Sequence, residues 1–190
     1  MFSDQLIVLT YVIREDAERR GYHSWLRKID TPFFNSVPVV GLYENWKVAQ
    51  PQSDLPWTHF DLLNPAKGVE PEAVFEHPNI VQFASNWSRL WGVVQTTDHN
   101  ASNYQIHTLT RVRAGTVQRG GLVALVIDPD MSRLPIEADL WNERSMVVGD
   151  NQLGKSMAVA PLQMAAETIN ADPAWGRQVI VGEIIASPNF

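Results

Sequence analysis

The 190-residue sequence contains no cysteine, which excludes a disulfide framework, a thiolate metal site and a cysteine nucleophile. It has no dense run of Lys or Arg, and a formal net charge of −6 argues against a nucleic-acid footprint. Residues 6–13 form an apolar run too short to span a bilayer, so no membrane partner is expected. The start Met-Phe-Ser-Asp-Gln lacks a basic n-region; without a signal peptide the expected location is the cytoplasm. The histidines His23, His59, His77, His99 and His107 show neither i, i+4 pairing nor an H-E-x-x-H pattern, so no metal is expected. A Gly-x-Ser-x-Gly elbow is missing too, which removes the usual signal for a hydrolase triad.

What is present is a hydrophobic content of 45%, enough to bury a core as one domain or two small ones, and seven Trp, suited to a core or an aromatic-lined pocket. Residues 6–13 are nearly continuously apolar with β-branched and aromatic members, as in a strand buried on both faces. Tyr22, Trp25, Leu26 and Ile29 recur at i, i+3, i+4, i+7, predicting a helix over residues 15–30 that Pro32 stops by disfavouring helical geometry at Thr31. Residues 41–49 alternate, with Tyr43, Asn45 and Lys47 on one face of a second strand. A third strand follows at 57–63, helices at 70–77 and 79–91 with Pro78 between them, and a fourth strand at 104–114. The order βαββαβ predicts an α+β, ferredoxin-like antiparallel sheet with helices on one face. Its other face needs cover, from a homodimer or from a second copy within the chain, to make a dimeric or pseudo-dimeric α/β barrel.

The expected division is a first domain at 1–115 and an α/β extension at 116–190. The latter would hold a strand at 122–127, a turn at Asp128-Pro129-Asp130, helices at 137–147 and 162–170, and a last strand at 178–186. Leu6 and Leu122, Leu9 and Leu125, and Trp25 and Trp141 align at one offset of 116, a hint of a degenerate second module.

Several constellations bear on chemistry. His59 and Asp61 share a face of the third strand with Trp57, so Asp61 is placed to orient His59 as a general base; a solvent-facing polar strand side is the alternative. His107 and Arg111 share a face of the fourth strand, where an Arg inside a barrel would bind a carboxylate or enolate oxygen and an Arg outside it would be a charged strand residue. His23, Arg27 and Asp30 fall on one helix stripe, either a solvated face or the rim of a site. Tyr11 and Tyr43 are candidates to hydrogen-bond a ligand, or core residues with satisfied hydroxyls. Gly149-Asp150-Asn151-Gln152-Leu153-Gly154-Lys155-Ser156 matches the P-loop pattern. No adequate strand precedes it, and Pro161 interrupts the helix that should follow.

The segment Tyr22-His23-Ser24-Trp25-Leu26-Arg27, with Asp30 three residues after the Arg, then Pro32, and Pro38 before the Tyr43 strand, resembles the EthD family of the dimeric α/β-barrel superfamily. The resemblance covers residues 6–48 best and extends loosely to 114. Where that family usually has His-Gly-Pro this chain has Asp30-Thr31-Pro32, and Pro38-Val39 stands in place of Pro-Gly. The resemblance implies a cofactor-independent protein holding a small, largely apolar organic molecule in a barrel cavity, with proton transfer, decarboxylation or oxygenation as the chemistry. His59, or Asp30 with His23, would act as base, and Arg111 or Tyr43 would steady an oxyanion. Trp25, Trp57, Tyr11, Tyr43 and His107 would contact the ligand. A non-catalytic ligand-binding or interaction protein is the competing reading, and nucleotide binding at residues 149–156 the third.

Overall fold

A computed structural model describes residues 3–50, 52, 54–94, 103–115, 121–148, 153–162, 164–165, 168–169 and 171–188. Eight antiparallel strands close into one barrel in the order β1-β3-β2-β10-β5-β7-β6-β4. They are β1 (Gln5–Tyr11), β2 (Val40–Val48), β3 (His59–Pro65), β4 (Tyr104–Arg113), β5 (Leu122–Pro129), β6 (Asp139–Val148), β7 (Ser156–Leu162) and β10 (Gly176–Ala186); β8 (Met164–Ala165) and β9 (Thr168–Ile169) pair with each other in a separate two-stranded sheet. Each half of the chain supplies four strands in the same relative order, β4-β1-β3-β2 and β10-β5-β7-β6.

This corrects the expected fold class. The protein is a closed eight-stranded antiparallel β-barrel with few helices, not a ferredoxin-like α+β sheet forming a dimeric or pseudo-dimeric α/β barrel. The edges that a partner would have had to cover are paired inside the chain, β2 with β10 and β4 with β6. The helix expected at 137–147 is strand β6, whose Trp141 points into the barrel while Leu140 packs outside. Pairing with β4 and β7 on either side outweighs the local helix preference of Glu, Leu and Arg. Of the helix expected at 162–170, the described residues are strand instead, and residues 163, 166–167 and 170 lie outside them. β1 and β5 hold the same place in the strand order of their halves, but the residues aligned at the offset of 116 are not equivalent: Leu6 faces the barrel interior and Leu122 the outside, while Trp25 is helical and Trp141 is in a strand.

Alternation along the strands sorts the side chains. Leu6, Val8, Trp46, Phe60, Leu62 and Trp141 point inward with residues of β5, β7 and β10 and fill the barrel. Trp46 and Phe60 stack with centroids 6.1 Å apart. Phe60 closes against Gly182 of β10, where even an added Cβ would lie 2.3 Å from the ring. The opposite set, Ile7, Tyr11, Tyr43, Leu63, Tyr104 and Ile106, points outward under the helices.

Those helices cover the first four strands: α1 (Tyr22–Trp25), a π-helical turn (Leu26–Asp30), α2 (Thr31–Ser36), α3 (Pro71–Phe75) and α4 (Pro78–Trp91). The helix predicted over 15–30 begins only at Tyr22, because Gly21 adopts φ 90°, a left-handed conformation that ends the preceding turns. Nor does it stop at Pro32. In a regular α-helix the proline ring would clash with the carbonyl four residues back. Here the preceding turn is widened, Thr31 N–H reaching the Leu26 carbonyl, and the helix runs on to Ser36. Pro78 opens α4 at its first turn, where no N–H is needed. No helix among the described residues is long and apolar enough to cross a membrane.

Candidate functional site

The covered outer face of β1, β3 and β2 carries a row of polar side chains. In register, Leu9 of β1 stands opposite Asp61 of β3, and Asp61 opposite Asn45 of β2; the next row is Tyr11, His59 and Lys47. Tyr11 and Tyr43 therefore lie diagonally from Asp61, within reach of long side chains. Tyr11 Oη donates to Asp61 Oδ1 at 2.9 Å, Tyr43 Oη to Asp61 Oδ2 at 2.7 Å, and Asn45 Nδ2 to Asp61 Oδ1 at 2.8 Å. The same amide reaches Asp30 Oδ2 at 3.0 Å, so one Asn bridges two carboxyl groups. Its orientation is held by Thr31, whose hydroxyl donates to Asn45 Oδ1 at 2.6 Å. Asp30 and Thr31 are delivered by the widened helical turn. Asp30, Asn45 and Asp61 are between 0 and 4% exposed.

A second chain of donors leads in from α4: Trp87 Nε1 donates to Tyr22 Oη at 3.0 Å, and Tyr22 Oη lies 3.4 Å from Tyr11 Oη. Between this network and the helices is a cavity of about 270 Å³. Asp30, Asp61, Tyr11 and Tyr43 line one part of it, and apolar residues such as Phe34, Leu63, Val74, Ile80, Phe83 and Trp87 line most of the rest. The volume lies near the lower end of the roughly 300–1,000 Å³ usual for small-molecule sites. The cavity is outside the barrel, between sheet and helices.

Burial dominates the electrostatics. It raises Asp61 to about 7, against the pull of hydrogen bonds from Tyr43, Asn45 and Tyr11. Asp30 is pushed well above the carboxylate range by burial and then by the neighbouring Asp61 charge. Two buried carboxyls this close do not both ionise readily, and the pair keeps a proton where isolated carboxyls have lost theirs. Tyr11, Tyr22 and Tyr43 are raised well above the usual phenol value, chiefly by burial, and stay protonated donors.

The structure brings Asp61, Asp30, Tyr11 and Tyr43 together and separates the rest. His59 shares the Asp61 face, but no hydrogen bond joins the two. His59 Nδ1 meets Thr58 Oγ1 at 2.9 Å, Nε2 meets His23 Nε2 at 3.4 Å, and burial pulls the imidazole down to about 3, away from a base working near neutral pH. Trp57 precedes β3, so strand alternation does not extend to it, and it packs inside the barrel. His107 is also inside, fully buried, with Nδ1 3.2 Å from Glu143 Oε1. Arg111 lies over Trp141 at 4.7 Å and pairs with Asp4 at 3.3 Å, away from the cavity. Trp25 stacks on Phe83 and Tyr22 above the aromatic layer without lining the cavity.

Residue spacing alone does not point to Asn45, Thr31, Tyr22 and Trp87 as site residues. The available signal was Asn45 on the Tyr43 face of a strand with apolar flanks. Of the P-loop-like segment, residues 149–152 lie outside the described residues. The Lys155 and Ser156 amides donate to Asp128 Oδ1 at 2.7 and 3.2 Å, and Ser156 opens a strand rather than a helix. Set against known protein families, curated proteins and solved structures, the chain matches none.

Proposed function

We propose that the protein is a cofactor-independent enzyme that moves a proton on a small, largely apolar organic molecule bearing a carbonyl group. One observation carries this reading: two buried carboxyls, Asp30 and Asp61, joined by a single amide, line the same apolar cavity. Asp61, as carboxylate, takes a proton from the carbon next to the carbonyl and becomes a carboxylic acid. Asp30, as carboxylic acid, donates a hydrogen bond to the oxygen on which the enolate charge collects. Return of the Asp61 proton to the same or a conjugated carbon completes exchange or isomerisation with no net change in charge. Tyr11, Tyr43 and Asn45 hold Asp61 in place, and the apolar walls exclude water and strengthen these interactions. The local resemblance of residues 22–43 to the EthD family supports the reading, since this segment delivers Asp30 and Tyr43 and part of the helical cover.

The test is hydrogen exchange in D2O, followed by NMR, on a panel of small cyclic and aryl ketones. The wild-type chain is expected to incorporate deuterium at the activated carbon, and Asp61→Asn to slow this by about 10²–10⁴-fold while binding persists. Saturable binding with no exchange for any ketone would replace this reading with that of a non-catalytic ligand-binding protein.

A further inference from the structure

We propose that Glu18, His23 and His59 form a binding site for a divalent transition-metal ion of the zinc class, separate from the carboxyl pair. His23 Nε2 lies 3.4 Å from His59 Nε2 and 3.4 Å from Glu18 Oε1, and the three ligand atoms all fall within 4.8 Å of one another. Both 3.4 Å separations exceed the roughly 2.7–3.2 Å of a good N–H···O hydrogen bond. They match the edge of a tetrahedral site, because two ligands each about 2.0–2.1 Å from zinc sit about 3.3–3.4 Å apart.

Proton bookkeeping points the same way. Thr58 Oγ1 is 2.9 Å from His59 Nδ1; with Nδ1–H donated there, His59 Nε2 presents a lone pair. His23 Nε2 then has one proton to share between that lone pair and the Glu18 carboxylate, both at long range. A cation in place of this proton satisfies all three ligands at once. The Thr58 contact supplies the outer hydrogen bond that fixes tautomer and ring orientation in histidine metal sites.

The position suits such a site. His59 is buried and stacked on Tyr11 with centroids 5.6 Å apart, His23 is half-buried and Glu18 exposed, so the ion would be anchored from below and open to solvent above. None of the three lines the cavity. The nearby Lys47 ammonium is held by Glu183 at 3.4 Å. Two imidazoles and one carboxylate favour zinc, cobalt, nickel or iron over calcium or magnesium, and three protein ligands leave at least one position for water.

The experiment uses the full chain, free of any histidine tag and stripped with chelator, then titrated with Co²⁺ and competed with Zn²⁺. One equivalent of Co²⁺ is expected to give visible d–d bands that Zn²⁺ abolishes. His23→Ala and Glu18→Gln, both at accessible positions, should each weaken binding at least about tenfold, because losing even an outer-shell partner costs roughly 10–100-fold. Thr58→Val should weaken it within that same outer-shell range, and His77→Gln should leave it unchanged. Circular dichroism confirms that each variant is folded. Absence of saturable binding up to millimolar Co²⁺, or binding unchanged in both His23→Ala and Glu18→Gln, would overturn the site.

Discussion

Asn45 places two amide protons between two carboxyl groups, and the proton held by that pair sets how the molecule responds to pH. The folded-state value for Asp61, about 7, lies above its ordinary 3.8. Between those values the folded chain holds a proton the unfolded chain has released, so this group's contribution to stability is complete below about pH 4 and lost as pH rises through 7. Urea unfolding at pH 4, 6 and 8 is expected to show that decline, and Asp61→Asn to make it shallower whatever its overall offset. Tyr43→Phe removes the 2.7 Å donor to Asp61 Oδ2, which should move the Asp61 midpoint upward, as followed by carboxyl ¹³C shifts. It should also cost about 1.5–3 kcal/mol of stability at pH 8, the usual worth of a hydrogen bond to a charged group. Asp30, Asp61, Tyr11 and Tyr43 are legible as candidates because tyrosines in apolar strands, an acid at a helix end and an acid sharing a strand face with a histidine stand out. Their union was not legible, since it depends on Asn45 and Asp61 falling in register on neighbouring strands.

At the scale of elements, the five-residue π turn Leu26–Asp30 governs where Asp30 and Thr31 point. Deleting the exposed Lys28 should restore α-helical spacing and rotate both residues off Asn45. A misplacement of about 1 Å can cost on the order of 10²-fold in rate, so exchange activity is expected to fall by that much in a variant that remains folded by circular dichroism. Local spacing places a helix end at Pro32, because the widened turn that accommodates the proline, packed against β10, has no signature in that spacing. Strand β10 offers a contrasting case. Gly182 leaves room for the Phe60 ring, and Gly182→Ala should destabilise the barrel by about 1–3 kcal/mol through overpacking, read as a lower urea midpoint.

At the scale of the whole molecule, the barrel is completed by pairings between halves, β2 with β10 and β4 with β6. Closure does not require a second copy, so the melting temperature is expected to stay constant over a hundredfold dilution, whereas an obligate dimer would melt lower when dilute. By itself the sequence determined where strands β1 to β5 and β10 run and where α4 begins, because periodicity and proline act over a few residues. Only the tertiary structure decided that residues 139–148 are strand, that the barrel interior is packed and the cavity lies beneath the helices, and that Asp30 and Asp61 share one amide. Those outcomes depend on pairing partners and registers far apart in the chain, which no local pattern encodes.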